Sequence, residues 1–595
     1  MNRNVESHFS KLPAVNIQRS ILDRGSKYST TFNAGQLIPF YVDEVLPGDT
    51  FDVSTAKVVR MQTLLTPLMD NMYLDTYYFF VPNRLVWDKW KEFCGENTES
   101  AWAPKTTHYI PKIASPTGGF EPGSIADYMG LPVGVEWKAT DLLAPSALPF
   151  RAYALICDHF FRDENLTDPL LIPTDSANQQ GAKITPRGQK PSATGYIADT
   201  ANGGDPFRVS RYHDYFSSAL PAPQKGNPVG IPINVPGFAG GTFPALTGPV
   251  DYLKDLTDPQ YPILFHQTVN GPGSPTDGKW SMPNFAYGYN NTDGHNLSIS
   301  SGDPNWPPTL SAMYNPIAPS NLSVTIPPAG DGQGTDVSFS VNEFRLAYVY
   351  QTYLETLARS GTRYSELLLG LFGVQSPDAR LQDPEYLGGN RIPINVSEVT
   401  NTAQAEQDFL GDVGAKSVTS DSHHDFIKSF TEHGYVIGVC CVRHDHSYCQ
   451  GIPKFWTRRE FTDFYNPKFA NLGEVPIYKA ELYATSQNMT AEDTGKLPVF
   501  GYQEIWADYR YRPNMVTGFM RPNVPNSISY WTLTDKYDSE PTLSDGWIRE
   551  SSDIVDRALA VTSNVSDQFW ADFYIQNRST RPMPMFSVPG LEPHF

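Results

Sequence analysis

MYLDTYYFF, residues Met72–Phe80, sets the reading of the whole chain. Met72, Leu74, Thr76, Tyr78 and Phe80 alternate with Tyr73, Asp75, Tyr77 and Phe79, a period of two that predicts a β-strand. Both alternating sets are largely apolar, so the strand is expected to be covered on both faces. Pro82 closes it, because proline has no N–H for a ladder. Asn83 has the chemistry of a helix N-cap and predicts a helix from Arg84 to about Cys94, with Val86, Trp90, Phe93 and Cys94 on one side.

Working outward, a second helix is expected from Pro149 to Arg162, capped near Ser146, with Phe150, Tyr153, Ala154, Cys157 and Phe161 recurring at three and four positions. Ser340 and Glu343 have capping-box spacing ahead of Phe344–Ala358, which is free of Gly and Pro. Gly361 interrupts that helix, and Thr362 caps a shorter one that ends at Gly373. The last third returns to aromatic and β-branched runs, with strands expected at Tyr435–Val442, Ile528–Leu533 and Phe569–Ile575. No βαβ rhythm and no internal repeat is visible, which argues against a parallel α/β fold.

Composition agrees with a loop-heavy, mainly β protein. The 595 residues include 51 Pro and 45 Gly, with aromatics at 13%. Charged residues are 18%, below the roughly 25% of ordinary soluble domains. Large buried or partner-facing surfaces follow from that balance. The net charge of −19 excludes generalised DNA binding as the main surface property, while leaving room for a local basic patch or a basic partner. Five cysteines, few and odd in number, suit a reducing compartment better than a disulfide framework. No run approaches 18 apolar residues and the N-terminus lacks a signal-peptide core, so neither membrane insertion nor Sec export is expected.

Residues 226–340 stand apart. They hold 15 Gly and 17 Pro, and their ten charges are eight Asp and two Lys. A loop of that length without structure is improbable inside a compact domain, so short strands and fixed turns in a projecting insertion are expected. At the other extreme, residues 1–50 read as an arm, with Arg3, Lys11, Arg19, Arg24 and Lys27 against Glu6 and Asp23 in its first thirty positions.

Chemistry-bearing motifs are sparse. GxxxxGK, GxGxxG at a strand–helix turn, HExxH and GxSxG are all absent. The best metal candidate is the set Cys440, His444, His446 and Cys449. On an extended strand His444 and His446 point the same way, and two imidazoles with a thiolate can hold zinc. The spacing fits no standard site, however, and cysteines after an apolar run are more often small core residues. Two aromatic-basic groups are denser: Trp456, Arg458 and Arg459, and Trp506, Tyr509, Arg510, Tyr511 and Arg512. They suit either base stacking or, as the preferred reading, a protein–protein interface of planar side chains.

Eight segments carry a specific pattern along the chain. They are VESHFSKLP (Val5–Pro13), DTYYFFVPNRLVW (Asp75–Trp87), LPFRAY (Leu148–Tyr153), RDENLTDPL (Arg162–Leu170) and DYFSSALPAPQKG (Asp214–Gly226). The set continues with SGTRYSELLLGLFGVQSPDARLQDPEYLGG (Ser360–Gly389), FGYQEIWADYRYRP (Phe500–Pro513) and RPMPMFSVPGLEPHF (Arg581–Phe595). Together they resemble the major capsid proteins of the Microviridae, in the gokushovirus branch. The resemblance implies an eight-stranded antiparallel jelly roll of viral capsid type, with long inter-strand loops and a few short helices. It divides the chain into an arm at 1–50, partly interior, and a first part of the jelly roll at 51–225. An exterior threefold protrusion at 226–340 follows, then the rest of the jelly roll and a C-terminal arm at 341–595. It further implies a non-enzymatic subunit of a T=1 shell around circular single-stranded DNA, assembled in the host cytoplasm. The partners implied are further copies of the chain, a small basic DNA-binding protein, a minor DNA-pilot protein and a host receptor. On this reading Arg3, Lys11, Arg19, Arg24, Lys27, Arg578 and Arg581 face the DNA, and Tyr287, Tyr289 and Trp306 are candidates for host attachment. The cysteines of Cys440–Cys449 are no recognised part of the family pattern. A carbohydrate-binding or carbohydrate-cleaving β protein and an adhesin-like module are the rival classes; closed particles from purified protein would separate the capsid reading from both.

Overall fold

A computed structural model describes residues 17–98, 107–187, 189, 197–227, 229, 341–361, 363–400, 413–490 and 497–587. Contacts divide the chain into a body, Met1–Val229 with Tyr348–Phe595, and a second unit, Gly230–Ala347. Of the second unit only 341–347, the start of a helix, lie within the described residues. The insertion expected at 226–340, with Tyr287, Tyr289 and Trp306, therefore falls almost wholly outside them, as do Arg3 and Lys11 of the arm.

Two antiparallel sheets form the centre of the body. The strands, in chain order, are β1 (Ser20–Asp23), β2 (Ser26–Phe32), β3 (Ile38–Val45), β4 (Thr50–Met61), β5 (Met72–Pro82), β6 (Glu385–Pro393), β7 (Thr419–Ser429), β8 (Gly434–His444) and β9 (Phe569–Arg581). In the five-stranded sheet β9 lies between β4 and the pair β1 and β2, and β7 follows β4 at the far edge. The four-stranded sheet has the order β3-β8-β5-β6. Successive strands keep crossing from one sheet to the other, as in a jelly-roll-like sandwich.

The inner faces follow from the sequence period. Along β4, Phe51, Val53, Thr55, Lys57, Val59 and Met61 are buried in strict alternation, and β9 does the same from Phe569 to Ser579. They meet Phe40, Leu74, Tyr78, Phe80, Val436, Cys440 and Val442 of the other sheet in one apolar core. Phe40 and Phe573 stack at 4.6 Å and Phe80 lies 4.7 Å from Phe430, contacts worth about 1 kcal/mol each beyond area burial. Lys57 is the exception in this core. Its ammonium donates to Thr76 Oγ1 at 3.0 Å and lies 3.5 Å from Asp421, so the charge is not left alone.

The outer face of the four-stranded sheet is covered too, as the Met72–Phe80 pattern predicts. Phe79, Val81, Ile437, Val439 and Cys441 pack against helix α1 (Leu148–Ile156), whose Leu148, Phe150, Tyr153 and Ile156 complete a second core. Asp75, fully buried on the same strand, is held by Arg391 at 2.7 Å, by Arg443 Nε at 3.1 Å and by the Tyr212 hydroxyl at 2.8 Å. A third core around Phe216, Tyr448, Ile477, Phe500, Trp547 and Ile548 organises the C-terminal loops.

The longer helices beside α1 are α2 (Val341–Ser360) and α3 (Tyr364–Phe372), which ends at Gly373 with φ +67°. Ser340 and Thr362, the expected caps of these helices, lie outside the described residues. No helix among the described residues is long and apolar enough to cross a membrane.

Three expectations need correction. The helix expected from Arg84 to Cys94 is two separate turns, Asn83–Val86 and Trp90–Phe93, with Asn83 inside the first instead of capping it. Trp87 breaks the run by turning extended, with its ring fully buried and its indole N–H donating to Ser176. The helix expected to run to Arg162 closes as a wide π-type turn over Cys157–Phe161. Ile528–Leu533 is not a strand but contains a 3-10 turn at Ser529–Trp531. Side chains take the backbone groups a ladder would need: Asp70 accepts from the Leu533 amide, and Arg557 donates to the carbonyls of Thr532 and Thr534.

Candidate interaction surface and buried histidine centre

The two aromatic-basic groups, some fifty residues apart in sequence, meet on the body's surface. Arg458 pairs with Asp508 and lies 4.1 Å over the ring of Tyr509. Tyr465 touches Trp506 and Tyr509 at centroid distances of 5.6 and 6.3 Å. Trp506 is itself buried, its indole bonded to the Phe469 carbonyl and its backbone in the left-handed region at φ +65°. Strain of this kind in a non-glycine residue needs surrounding contacts to hold it. Arg510 pairs with Glu504, while Arg459, Tyr511 and Arg512 stay exposed. Around them stand large apolar groups in water: Trp456 is 72% and Phe461 75% exposed, with Phe455, Phe464 and Leu472 beside them in sequence. Separately, helix α3 exposes Tyr364, Leu369 and Phe372, the last 73% exposed. These large aromatic groups stand exposed on this chain.

The basic candidates are divided in their engagements. Arg24 makes a bidentate pair with Asp43 at 2.6 and 2.7 Å, and Arg581 donates to the Glu44 carbonyl while lying 3.5 Å from Asp49. Both therefore tie strand ends together. Lys27 pairs with Asp572 at 3.1 Å on the outer face, and Arg19 and Arg578 are exposed. Arg578 shares the open face of β9 with Trp570 and Tyr574, at alternate exposed positions of that strand.

A different kind of site lies inside. His444 ends β8 and His446 follows two positions on, so both imidazoles leave the chain on the same side, with ring centroids 4.2 Å apart. The third member is Glu550, just beyond the turn Asp545–Ile548, and it is fully buried like the others. Glu550 Oε2 lies 3.1 Å from His446 Nε2, and Asp535 Oδ1 lies 2.8 Å from His446 Nδ1. Arg211 and the Tyr537 hydroxyl hold the other oxygen of Asp535, at 2.5 and 2.7 Å. Burial opposes a charge on His446, but Asp535 and Glu550 overcome it and hold its pKa up at about 9. Burial likewise opposes the charge on both carboxylates, yet Arg211 and His446 hold Asp535, and His444 and His446 hold Glu550, well below the usual range. Gly35, at φ +78°, backs the site: a Cβ there would stand 2.7 Å from the Glu550 carbonyl.

The thiols do not join the imidazoles. Cys440 lies in the sandwich core four residues up the strand from His444, about 13 Å along it. Cys449 is buried with its sulfur near the Asp535 carbonyl and the Asn523 side chain.

Residues 10–591 match the family described as capsid protein (F protein), nearly the whole chain. The chain belongs to that capsid protein family. Capsid protein VP1 of Chlamydia phage 1 is 36% identical over 99% of this chain and 98% of its own length. The VP1 proteins of Spiroplasma virus 4 and Bdellovibrio phage phiMH2K are 34% and 35% identical, each over at least 97% of both chains. This capsid-family chain also carries a cleft of about 250 Å³ lined by His159, Phe160, Arg363, Glu366 and Asp383. That is under the roughly 300 Å³ at which pockets for drug-sized ligands begin. Of the residues that matter here, Glu550, Asp535 and Arg211 carry no signal in the sequence. They lie 89 to 235 positions from His446, and no local spacing connects them.

Proposed function

We propose that this chain is the major coat subunit of a gokushovirus-type member of the Microviridae. On this reading it builds a T=1 icosahedral shell around circular single-stranded DNA. The carrying observation is the band of exposed aromatic and apolar groups from Phe455 to Leu472 and on α3, on a chain that aligns end to end with capsid proteins. Closed symmetry reuses one such patch in every copy, so a shell removes the surface that a monomer leaves wet. The strand orders β2-β9-β4-β7 and β3-β8-β5-β6 support an eight-stranded jelly roll of the viral capsid type, with β1 as an extra edge. The role is structural and not enzymatic, in a virion assembled in the cytoplasm of a bacterial host.

The arm, with Arg3, Lys11, Arg19 and Lys27, and the exposed Arg578 face the packaged DNA and touch phosphates without reading sequence. Because the chain is acidic overall, a small basic protein supplies most of the neutralisation, and a DNA-pilot protein travels with the genome. Residues 226–340 form the exterior threefold protrusion and bind the host receptor, with Tyr287, Tyr289 and Trp306 as contact candidates. Their net charge of −6, from eight Asp and two Lys, suits an outer surface and not a phosphate-lined interior. Repetition around a symmetry axis makes weak host contacts add up.

Expression in a bacterium followed by negative-stain imaging tests the central reading. Closed particles or pentamers are expected, and a stable monomer at micromolar concentration would refute it. Replacing Asn227–Asp336 by a short Gly/Ser linker separates the insertion's role from the wall's. Particles should close and lose adsorption to host cells; normal adsorption would place the receptor site elsewhere.

A further inference from the structure

We propose that His444, His446 and Glu550 form a binding site for one divalent transition-metal ion of the zinc class, with Asp535 as the carboxylate behind His446. The donor atoms of the three residues all lie within 4.8 Å of one another, and all three residues are buried. Two donors on a tetrahedral ion with bonds of about 2.0–2.1 Å stand roughly 3.3 Å apart. The nitrogen–oxygen distances here are 2.8 Å for His444 Nδ1 to Glu550 Oε1 and 3.1 Å for His446 Nε2 to Glu550 Oε2. Each imidazole–carboxylate pair would open by a few tenths of an ångström to admit the ion, and the widest donor pair, at up to 4.8 Å, would close toward that spacing.

The decisive feature is polar atoms with nothing to bond. Both ring nitrogens of His444 and Oε1 of Glu550 are buried without a hydrogen bond, although His444 Nδ1 and Glu550 Oε1 approach to 2.8 Å as an ion pair. Buried polar groups are nearly always satisfied, so the facing pair, His444 Nδ1 and Glu550 Oε1, marks a missing partner. A cation accepting lone pairs from those two atoms satisfies both, while His444 Nε2, on the far side of the ring, points away from it. The arrangement behind His446 fits as well: its Nδ1–H donates to Asp535, which Arg211 and Tyr537 fix in turn, as a carboxylate orients a metal-binding imidazole. Two imidazoles and one carboxylate select zinc, cobalt or nickel over calcium or magnesium, which prefer oxygen throughout. On binding, the ion replaces the proton shared between His446 Nε2 and Glu550 Oε2, and that proton leaves to solvent. The ion staples the end of β8 to the C-terminal loops that carry Asp535 and Glu550.

The purified full-length chain is made in medium supplemented with zinc, or with cobalt in place of zinc, and washed free of loose metal. Elemental analysis should find about one zinc per chain, and the cobalt preparation should show the visible absorption of a tetrahedral centre. His444→Gln with Glu550→Gln keeps volume and hydrogen-bonding capacity, and should lower bound metal roughly tenfold. Should that variant fail to fold, the wild-type cobalt spectrum decides alone. Wild-type chain with less than about 0.1 metal per copy, or without the cobalt band, overturns the proposal. Equal metal in the wild type and a folded double variant overturns it too.

Discussion

Asp75 sits in the middle of an apolar strand, buried and shared between Arg391, Arg443 and Tyr212. Removing one partner from a buried ion cluster leaves the others uncompensated. Asp75→Ala should therefore cost about 3–5 kcal/mol, read as a lower denaturation midpoint, while Asp75→Asn should cost less by keeping the shape and some hydrogen bonds. Glu481 is a second buried carboxyl, accepting from the Tyr215 hydroxyl at 2.9 Å and the Tyr478 amide at 3.0 Å. Burial pushes its pKa above the usual glutamate value. The folded chain thus keeps this proton to higher pH than the unfolded chain does, and stability falls as pH rises from the ordinary glutamate range through the folded pKa. Glu481→Gln should raise the melting temperature at pH 7, with the gain shrinking toward pH 4. An equal gain at both pH values would show that the charge is not what matters. The alternation of Met72–Phe80 placed Asp75 on a strand covered on both faces but said nothing of its partners, and Lys57 lies on a strand for which no period was read. Arg391 and Arg443 lie more than 300 positions from Asp75, as does Asp421 from Lys57, and only folding brings such partners together.

Among the secondary-structure elements, length and tertiary demand decided what could be read. Strands at Met72–Pro82, Gly434–His444 and Phe569–Arg581 and the helix beginning near Val341 repeat their period often enough to declare themselves. The helix after Pro82 failed because burying Trp87 outweighs the local preference for continuing a turn, and Ile528–Leu533 failed because a strand needs a neighbour that the fold does not provide. Pairing also depends on close approach. A Cβ on Gly389 in β6 would stand 2.1 Å from the Thr76 carbonyl on β5, against backbone that cannot move aside. Gly389→Ala should cost about 3 kcal/mol and loosen β6 from the sheet edge. Hydrogen exchange should then speed up in Glu385–Pro393 first, and unchanged protection there would refute the close-packing argument.

For the molecule as a whole, a low charged fraction and abundant aromatics pointed to surfaces meant for partners, and the family match agrees with the resemblance carried by motifs from Val5 to Phe595. The histidine centre was half legible: two imidazoles on one side could be read from alternation, while Cys440 and Cys449, set beside them in the sequence reading, are not in that cluster and Glu550 was out of reach. The proposed assembly surface invites a direct trial. Trp456→Glu with Phe461→Glu places charge where a neighbour should seat, away from any core, so subunits should keep their melting temperature but stay unassembled in sedimentation. Normal particles from that variant would move the contact elsewhere. A last consequence comes from β9, the final long segment of the chain, which pairs along its length with β4 and closes β1 and β2 onto the same sheet. Its partners emerge from the ribosome among the first 61 residues, yet they must wait for residue 581. At about 5–20 residues per second that wait is on the order of a minute, during which the early strands expose open edges. A prematurely terminated chain would lack the strand that shuts the sandwich and would leave those early edges open.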